Sequence, residues 1–372
     1  MKITSAKLIF FIPLCWISLQ AAACPSTLQH LQTSHLGNTT LCEVYDRYHK
    51  ALSSLARQGV SPAERMSDLL APRLIDMQTW IEKRQALNFN PWIVYDPMPY
   101  TWEEWQEGAY IVDTQAQENF EKQNLKPMDL SWLLQIQDST MVNFIAAPGE
   151  FRHGNEAGKA LTRKTSVTQA QVEGMRSVFY PSLLSAGKPI LSWHPVLCYE
   201  DMSADFQNTY GPDMMNMKIL NLTQWVPIPP TEYYKSGEES RQCGYLLYAD
   251  PHEVKQQLNL WVQDLNEQIM TWSMPQAQGD PILVAARAER WLIAIHPFSK
   301  GNGRMSRFVM EYVLESLGLP PPLLQSMDDD VYSSESQWAD EVGRGLLSSV
   351  KIVEQCALDP KTPGCNIVPK SF

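Results

Sequence analysis

Twelve residues from His296 to Arg307, reading H-P-F-S-K-G-N-G-R-M-S-R, gather side chains that handle phosphate and move protons. The imidazole of His296 takes up a proton near neutral pH. Gly301, Asn302 and Gly303 stand where a helical pattern begins. Unpaired backbone N–H groups and the positive end of the helix dipole make such a start an anion site. Arg304 and Arg307 are three apart, so both follow one face toward the same anion. A base, an anion cradle and two guanidiniums in one short span point to phosphoryl or nucleotidyl transfer. Two elements must position them. The apolar run Ile282 to Ile295 predicts a helix before the motif. Met305, Phe308, Val309, Tyr312 and Val313 share one face of a helix after it. The motif is thus a loop between two buried helices.

The stretch resembles the signature of Fic-domain proteins, H-P-F-x-[D/E]-G-N-G-R-x-x-R. Every fixed position matches except one, where Lys300 stands in place of an acidic residue. The resemblance implies a mainly α fold: a Fic-type helical core with a small β-hairpin flap, here preceded by an N-terminal helical region. It also implies transfer of AMP from ATP to a Ser, Thr or Tyr hydroxyl of a protein substrate. In that chemistry His296 would be the general base. Gly301, Asn302 and Gly303 would hold the α- and β-phosphates through backbone and side-chain amide donors. Arg304 and Arg307 would hold the outer phosphates, and Phe298 would anchor the loop from inside. The family's carboxylate holds a Mg²⁺ on the phosphates. A protonated lysine repels a cation, so no metal ligand is assigned and the use of Mg²⁺ stays open. Lys300 could instead meet phosphate as a point charge. A different pyrophosphate-linked donor, such as CDP-choline, is one alternative; a catalytically inactive binding or scaffold protein is another. Pro148-Gly149-Glu150-Phe151-Arg152 is similar to the G-x-[YF]-R stretch of the family. Strands around Trp225–Ile228 and Gly244–Tyr248 are the candidates for the flap.

Composition bounds the rest. The chain has 372 residues, 44% of them hydrophobic and 19% charged, so it can bury a substantial core and is no disordered tract. Its net charge is -11 with no basic cluster, which argues against a nucleic-acid surface. Lys2 and Lys7, the apolar run Leu8–Leu19 and Ala21-Ala22-Ala23 read as a cleavable export signal over residues 1–23, too short to span a bilayer. No other run is long and apolar enough to do so. Cys24 directly after the cleavage site allows either a lipoprotein or an ordinary secreted or periplasmic chain. Six cysteines then remain, and an even number in an exported chain favours disulfides. Proximity suggests Cys24–Cys42, Cys198–Cys243 and Cys356–Cys365, among about 15 possible pairings of six.

Along the chain, residues 24–130 read as a mostly helical region, 131–358 as the Fic-like domain and 359–372 as a tail. Helices are expected over Tyr45–Gly59, from Ser61 toward Leu87 with a kink or break at Pro72, and over Thr168–Ala186 with a break near Pro181, while residues near 113–138 read as another helix and a turn. The aromatic- and proline-rich segment Asn88–Glu107 reads as packed loop. Ile190–Cys198 and Cys243–Ala249 look like strands. Asp250-Pro251 and Asp280-Pro281 each predict a capped helix start, with Glu253 closing a capping box on the first. Gly154-x-x-x-Gly158-Lys159-Ala160 falls short of a P-loop.

Overall fold

The computed structural model of the protein describes residues 23–57, 102–122, 125–140, 150–154, 156–178, 190–209, 233–237, 239–272, 274, 278–299, 301–324 and 329–359. The fold is mainly α. In chain order the elements are α1 (Ser26–His30), α2 (Leu41–Arg57), α3 (Trp102–Lys122), α4 (Leu130–Thr140), β1 (Ala157–Ala160), β2 (Val167–Thr168) and α5 (Gln169–Arg176). They continue with β3 (Ser192–Pro195), α6 (Ala204–Thr209), β4 (Tyr234–Ser236), β5 (Glu239–Gln242) and β6 (Gly244–Leu247). The last are α7 (Val254–Thr271), α8 (Pro281–Ile295), α9 (Asn302–Glu315), α10 (Asp329–Tyr332) and α11 (Glu335–Leu358).

α8 is the axis of the core. Every position except Leu283 and Arg287 is buried, as a helix apolar on nearly all sides requires. Its start is local chemistry. The Asp280 carboxylate accepts from the N–H groups of Ile282 and Leu283 at 3.0 and 3.1 Å, and Pro281 occupies the first turn. α7, α9, α10 and α11 pack around α8, α3 packs on α9, and α2 lies on α11. One continuous core joins Leu28, Val44 and Tyr45 of the first helices to Leu292 and Ile295 of α8, Val309 and Val313 of α9, and Val350 of α11. Each such aliphatic side chain contributes about 1.5–3 kcal/mol when fully buried. The expected boundary near residue 130 falls at the start of α4, and the core runs through it. Close approach also depends on Gly343 of α11: a Cβ there would meet the His35 carbonyl at 2.0 Å.

Two small antiparallel sheets lie beside the helices, ordered β1-β6-β3 and β2-β5-β4. Gly158 stands opposite Leu246, and Trp193 faces Leu246 from the other side. β6 is therefore a central strand with Gly244, Tyr245 and Leu246 buried, which corrects the flap reading of Gly244–Tyr248. The other flap candidate, Trp225–Ile228, lies outside the described residues. β4 and β5 form a short hairpin, Tyr234 opposite Arg241. Lys159 and Ala160 belong to β1, a strand and not a phosphate loop.

Other expectations shift. Asp250 holds a turn through the His252 N–H at 2.9 Å, and the helix begins only at Val254, where no side chain caps it. Glu253 accepts from Gln257 instead of closing a capping box. The segment expected as loop becomes helical at Trp102, and the helix expected from Thr168 starts under a Thr168–Gln171 capping box and ends already at Arg176. The helix expected from Ser61 toward Leu87 lies outside the described residues. Cys24–Cys42 and Cys198–Cys243 are bonded, and Cys356 is also in a disulfide. Cys365, its expected partner, lies outside the described residues. Among the described residues, no helix is long and apolar enough to cross a membrane.

Candidate active site

The loop between α8 and α9 brings His296, Gly301, Asn302, Gly303, Arg304 and Arg307 into one place. Lys300 lies outside the described residues. His296 ends α8 in the left-handed conformation, φ 50° and ψ 59°, the one non-glycine residue with positive φ among the described residues. The cost is on the order of 1–3 kcal/mol, which the surrounding structure must impose. Its ring is half-buried. Nδ1 lies 3.3 Å from the Ile293 carbonyl. A carbonyl only accepts, so this contact needs a proton on Nδ1; in the neutral ring that leaves the lone pair on Nε2, the tautomer a base needs. The Tyr248 ring stacks on the imidazole, centroids 3.8 Å apart and planes 15° from parallel.

Across the loop, Gly301 takes φ 82°, which glycine adopts without strain. The first intrahelical bond of α9 is Met305 N–H to Gly301 O at 3.0 Å. Helix geometry therefore leaves the Asn302 and Gly303 amides without an intrahelical acceptor, aimed out of the helix start. The Asn302 side chain does something other than expected. Its carbonyl accepts from Phe298 N–H at 2.9 Å and its amide donates to Phe298 O at 2.6 Å. Asn302 thus closes the loop with its side chain, a role the sequence did not announce. Phe298 is 1% exposed, with Phe151 beside it. Arg304 and Arg307 are largely buried, and Arg307 Nη1 donates to Gly303 O at 3.3 Å. Among the described residues of the motif, Ser299 is exposed and His296, Gly301 and Gly303 are half-buried, while the rest are buried.

Three charged residues outside the motif support it. Glu289, about two helical turns before His296, is fully buried. Its carboxylate accepts from Ser306 Oγ at 3.2 Å and Trp338 Nε1 at 2.9 Å. Burial pushes its pKa well above the usual carboxylate range and Asp330 adds to the push; Arg307 and the two hydrogen bonds oppose it. Arg290 donates to the carbonyls of Gly174, Asp330 and Ser333, tying α5 and α10 to α8. Burial pulls its guanidinium down to about 10, so it stays charged at neutral pH. Arg152 reaches the loop from far off. Its Nε donates to His296 O at 2.5 Å, Nη1 to Gly154 O at 2.7 Å, and Nη2 to Ala249 O and to Ile295 O at 3.3 Å. Its own N–H donates to Pro297 O at 2.9 Å. Glu289 and Arg290 had a signal in sequence, two charges inside an apolar helical run. Tyr248 had none.

The donor set does not fit a divalent cation held by the protein. The loop contains no carboxylate, and the position that would supply one is Lys300.

Residues 220–314 match the family model described as Fic/DOC family. A Fido domain-containing protein of Dictyostelium discoideum is 33% identical over 103 residues, 28% of this chain and 68% of that protein. A protein named protein adenylyltransferase Fic from Aedes aegypti is 43% identical over 61 residues, 16% of this chain and only 12% of that one. The structure of a Fic domain containing signaling protein from Bacteroides thetaiotaomicron aligns over 85% of this chain and 96% of that one, at 14% identity and a TM-score of 0.42. On the matched motif and the Dictyostelium relative, of which more than two thirds is covered, the chain belongs to the Fic/DOC family.

Proposed function

We propose that the protein transfers AMP, or a related phosphate-linked group, from a nucleotide such as ATP to a Ser, Thr or Tyr hydroxyl of another protein. The observation that carries this reading is the pairing of His296, its Nδ1 engaged by a backbone carbonyl, with the outward amides of the α9 start across one short loop. Nε2 of His296 takes the hydroxyl proton. The hydroxyl oxygen bonds to the α-phosphorus, and the bond from that phosphorus to the bridging oxygen breaks. Pyrophosphate leaves with the electron pair. The Asn302 and Gly303 amides, with Arg304 and Arg307, stabilise the charge that develops on the phosphates. No step runs through a metal. We further place the protein in an exported, oxidising compartment, a reading supported by Cys24–Cys42 and Cys198–Cys243.

Lys300 favours a second reading, a nucleotide-binding protein that transfers nothing. The two separate on incubation with ATP labelled at the α-phosphate and candidate proteins, with and without Mg²⁺. Transfer without metal, lost by about 10²–10⁴-fold in His296→Ala, is the expected result. Calorimetric binding of ATP with no transferred label supports the second reading. If Lys300→Asp brings Mg²⁺-dependent transfer, the lysine merely disabled an ordinary enzyme; if transfer falls, Lys300 belongs to the mechanism.

A further inference from the structure

Arg152 lies 144 residues from His296 in the chain, yet its guanidinium is spent on the backbone around that residue. Three consecutive carbonyls, those of Ile295, His296 and Pro297, accept from Arg152. The first two belong to the end of α8, where helix geometry leaves carbonyls without partners. A cation at that end also opposes the negative pole of the helix dipole. Arg152 is 5% exposed, and burial lowers its pKa, with Glu156 and Asp250 opposing. Capping alone would need only the Ile295 and His296 carbonyls. The same guanidinium also holds Ala249 O, and Ala249 follows Tyr248, whose ring covers the imidazole. Ala249 N–H in turn donates to Ala294 O at 3.3 Å. One planar fork therefore fixes both the left-handed backbone of His296 and the strand end that delivers the stacking ring.

We propose that Arg152 and Tyr248 are positioning residues for His296: the Arg152 fork sets the backbone and the Tyr248 ring sets the plane of the imidazole, so that Nδ1 meets Ile293 O and Nε2 faces the loop. The functional meaning rests on reading His296 as the base, but the geometry is testable without it. A lysine cannot reproduce the fork, because its ammonium reaches fewer carbonyls in one plane.

The test is the histidine side-chain ¹⁵N–¹H spectrum of the full chain, recorded above the imidazole pKa, with the His296 signals assigned by their loss in His296→Gln. The expected wild-type result is the Nδ1–H tautomer, with ring-proton resonances displaced upfield by the Tyr248 ring. Tyr248→Leu removes the displacement and mixes the tautomers, Tyr248→Phe preserves both, and Arg152→Lys mixes the tautomers while the chain stays folded. His296 signals unchanged in both Arg152→Lys and Tyr248→Leu overturn the proposal, leaving Arg152 a helix cap. If Arg152→Lys does not fold, the Tyr248 pair decides. Where wild-type transfer is measurable, kcat in Tyr248→Leu falls by about a hundredfold, the scale of a small misplacement, while calorimetric ATP affinity stays within about twofold. A wild type that transfers nothing defeats the functional reading and leaves the spectra to judge the geometry.

Discussion

The two ends of α8 are held in opposite ways. At its start, the open N–H groups are met by Asp280, the residue immediately before the helix. At its finish, the open carbonyls are met by Arg152, from a distant part of the chain. The first arrangement forms as soon as the helix does and needs nothing else folded. The second exists only once the 150–154 segment, β6 and α8 have come together. The proposed chemistry sits at the second end. A half-buried imidazole in a left-handed backbone has to be over-determined by its surroundings, and only contacts from several elements can do that.

The contrast predicts unequal costs. Arg152→Met leaves the Ile295, His296 and Ala249 carbonyls without their donor, a loss of about 3–5 kcal/mol by chemical denaturation. A loss no larger than that at Asp280 would erase the distinction between the ends. Gly343→Ala drives a methyl into the His35 carbonyl where the N-terminal segment crosses α11, beside the start of α8. It costs about 1–3 kcal/mol, and unchanged stability would mean that the segment yields there. Asp280→Ala costs about 0.5–2 kcal/mol, the ordinary value of an N-cap, with the His296 resonances unmoved.

The smallest effect lies between the two ends and depends on pH. The pKa of Glu289 is raised in the folded chain. The folded protein therefore keeps a proton that the unfolded chain releases. That contribution is fully present below the ordinary carboxylate range and is lost as pH rises toward the folded value. Glu289→Gln should flatten this decline, gaining on the wild type as pH rises. Urea midpoints compared at pH 5 and pH 8 check it, and parallel profiles would contradict it.

What could be read in the sequence follows the same division. Asp280-Pro281 announced its helix because cap and first turn are neighbours. Asp250-Pro251 carries the same local pattern, yet Pro251, His252 and Glu253 form a turn and α7 starts at Val254. The local signal fixed a turn; the packing of Val254 and Leu258 in the core fixed where the helix begins. The motif announced its loop and both flanking helices, because periodicity and glycine placement are local. It could not show that Asn302 spends its amide on Phe298, since an amide at a helix start looks the same whether it serves loop or ligand. Arg152 stood in a recognisable stretch, but its target carbonyls carry no side-chain identity. Tyr248 is one aromatic among 14 tyrosines, and only the pairing of β6 with β1 and β3 brings it to the imidazole.

The central claim is that the head of α9 grips phosphate beside His296. Backbone amide shifts of Gly301, Asn302 and Gly303, followed in ¹⁵N-labelled protein on addition of ATP and separately of adenosine, test it most directly. The account predicts that ATP moves these amides strongly downfield, that adenosine does not, and that Arg307→Ala blunts the ATP response. ATP that binds by calorimetry while leaving all three amides unmoved would contradict it.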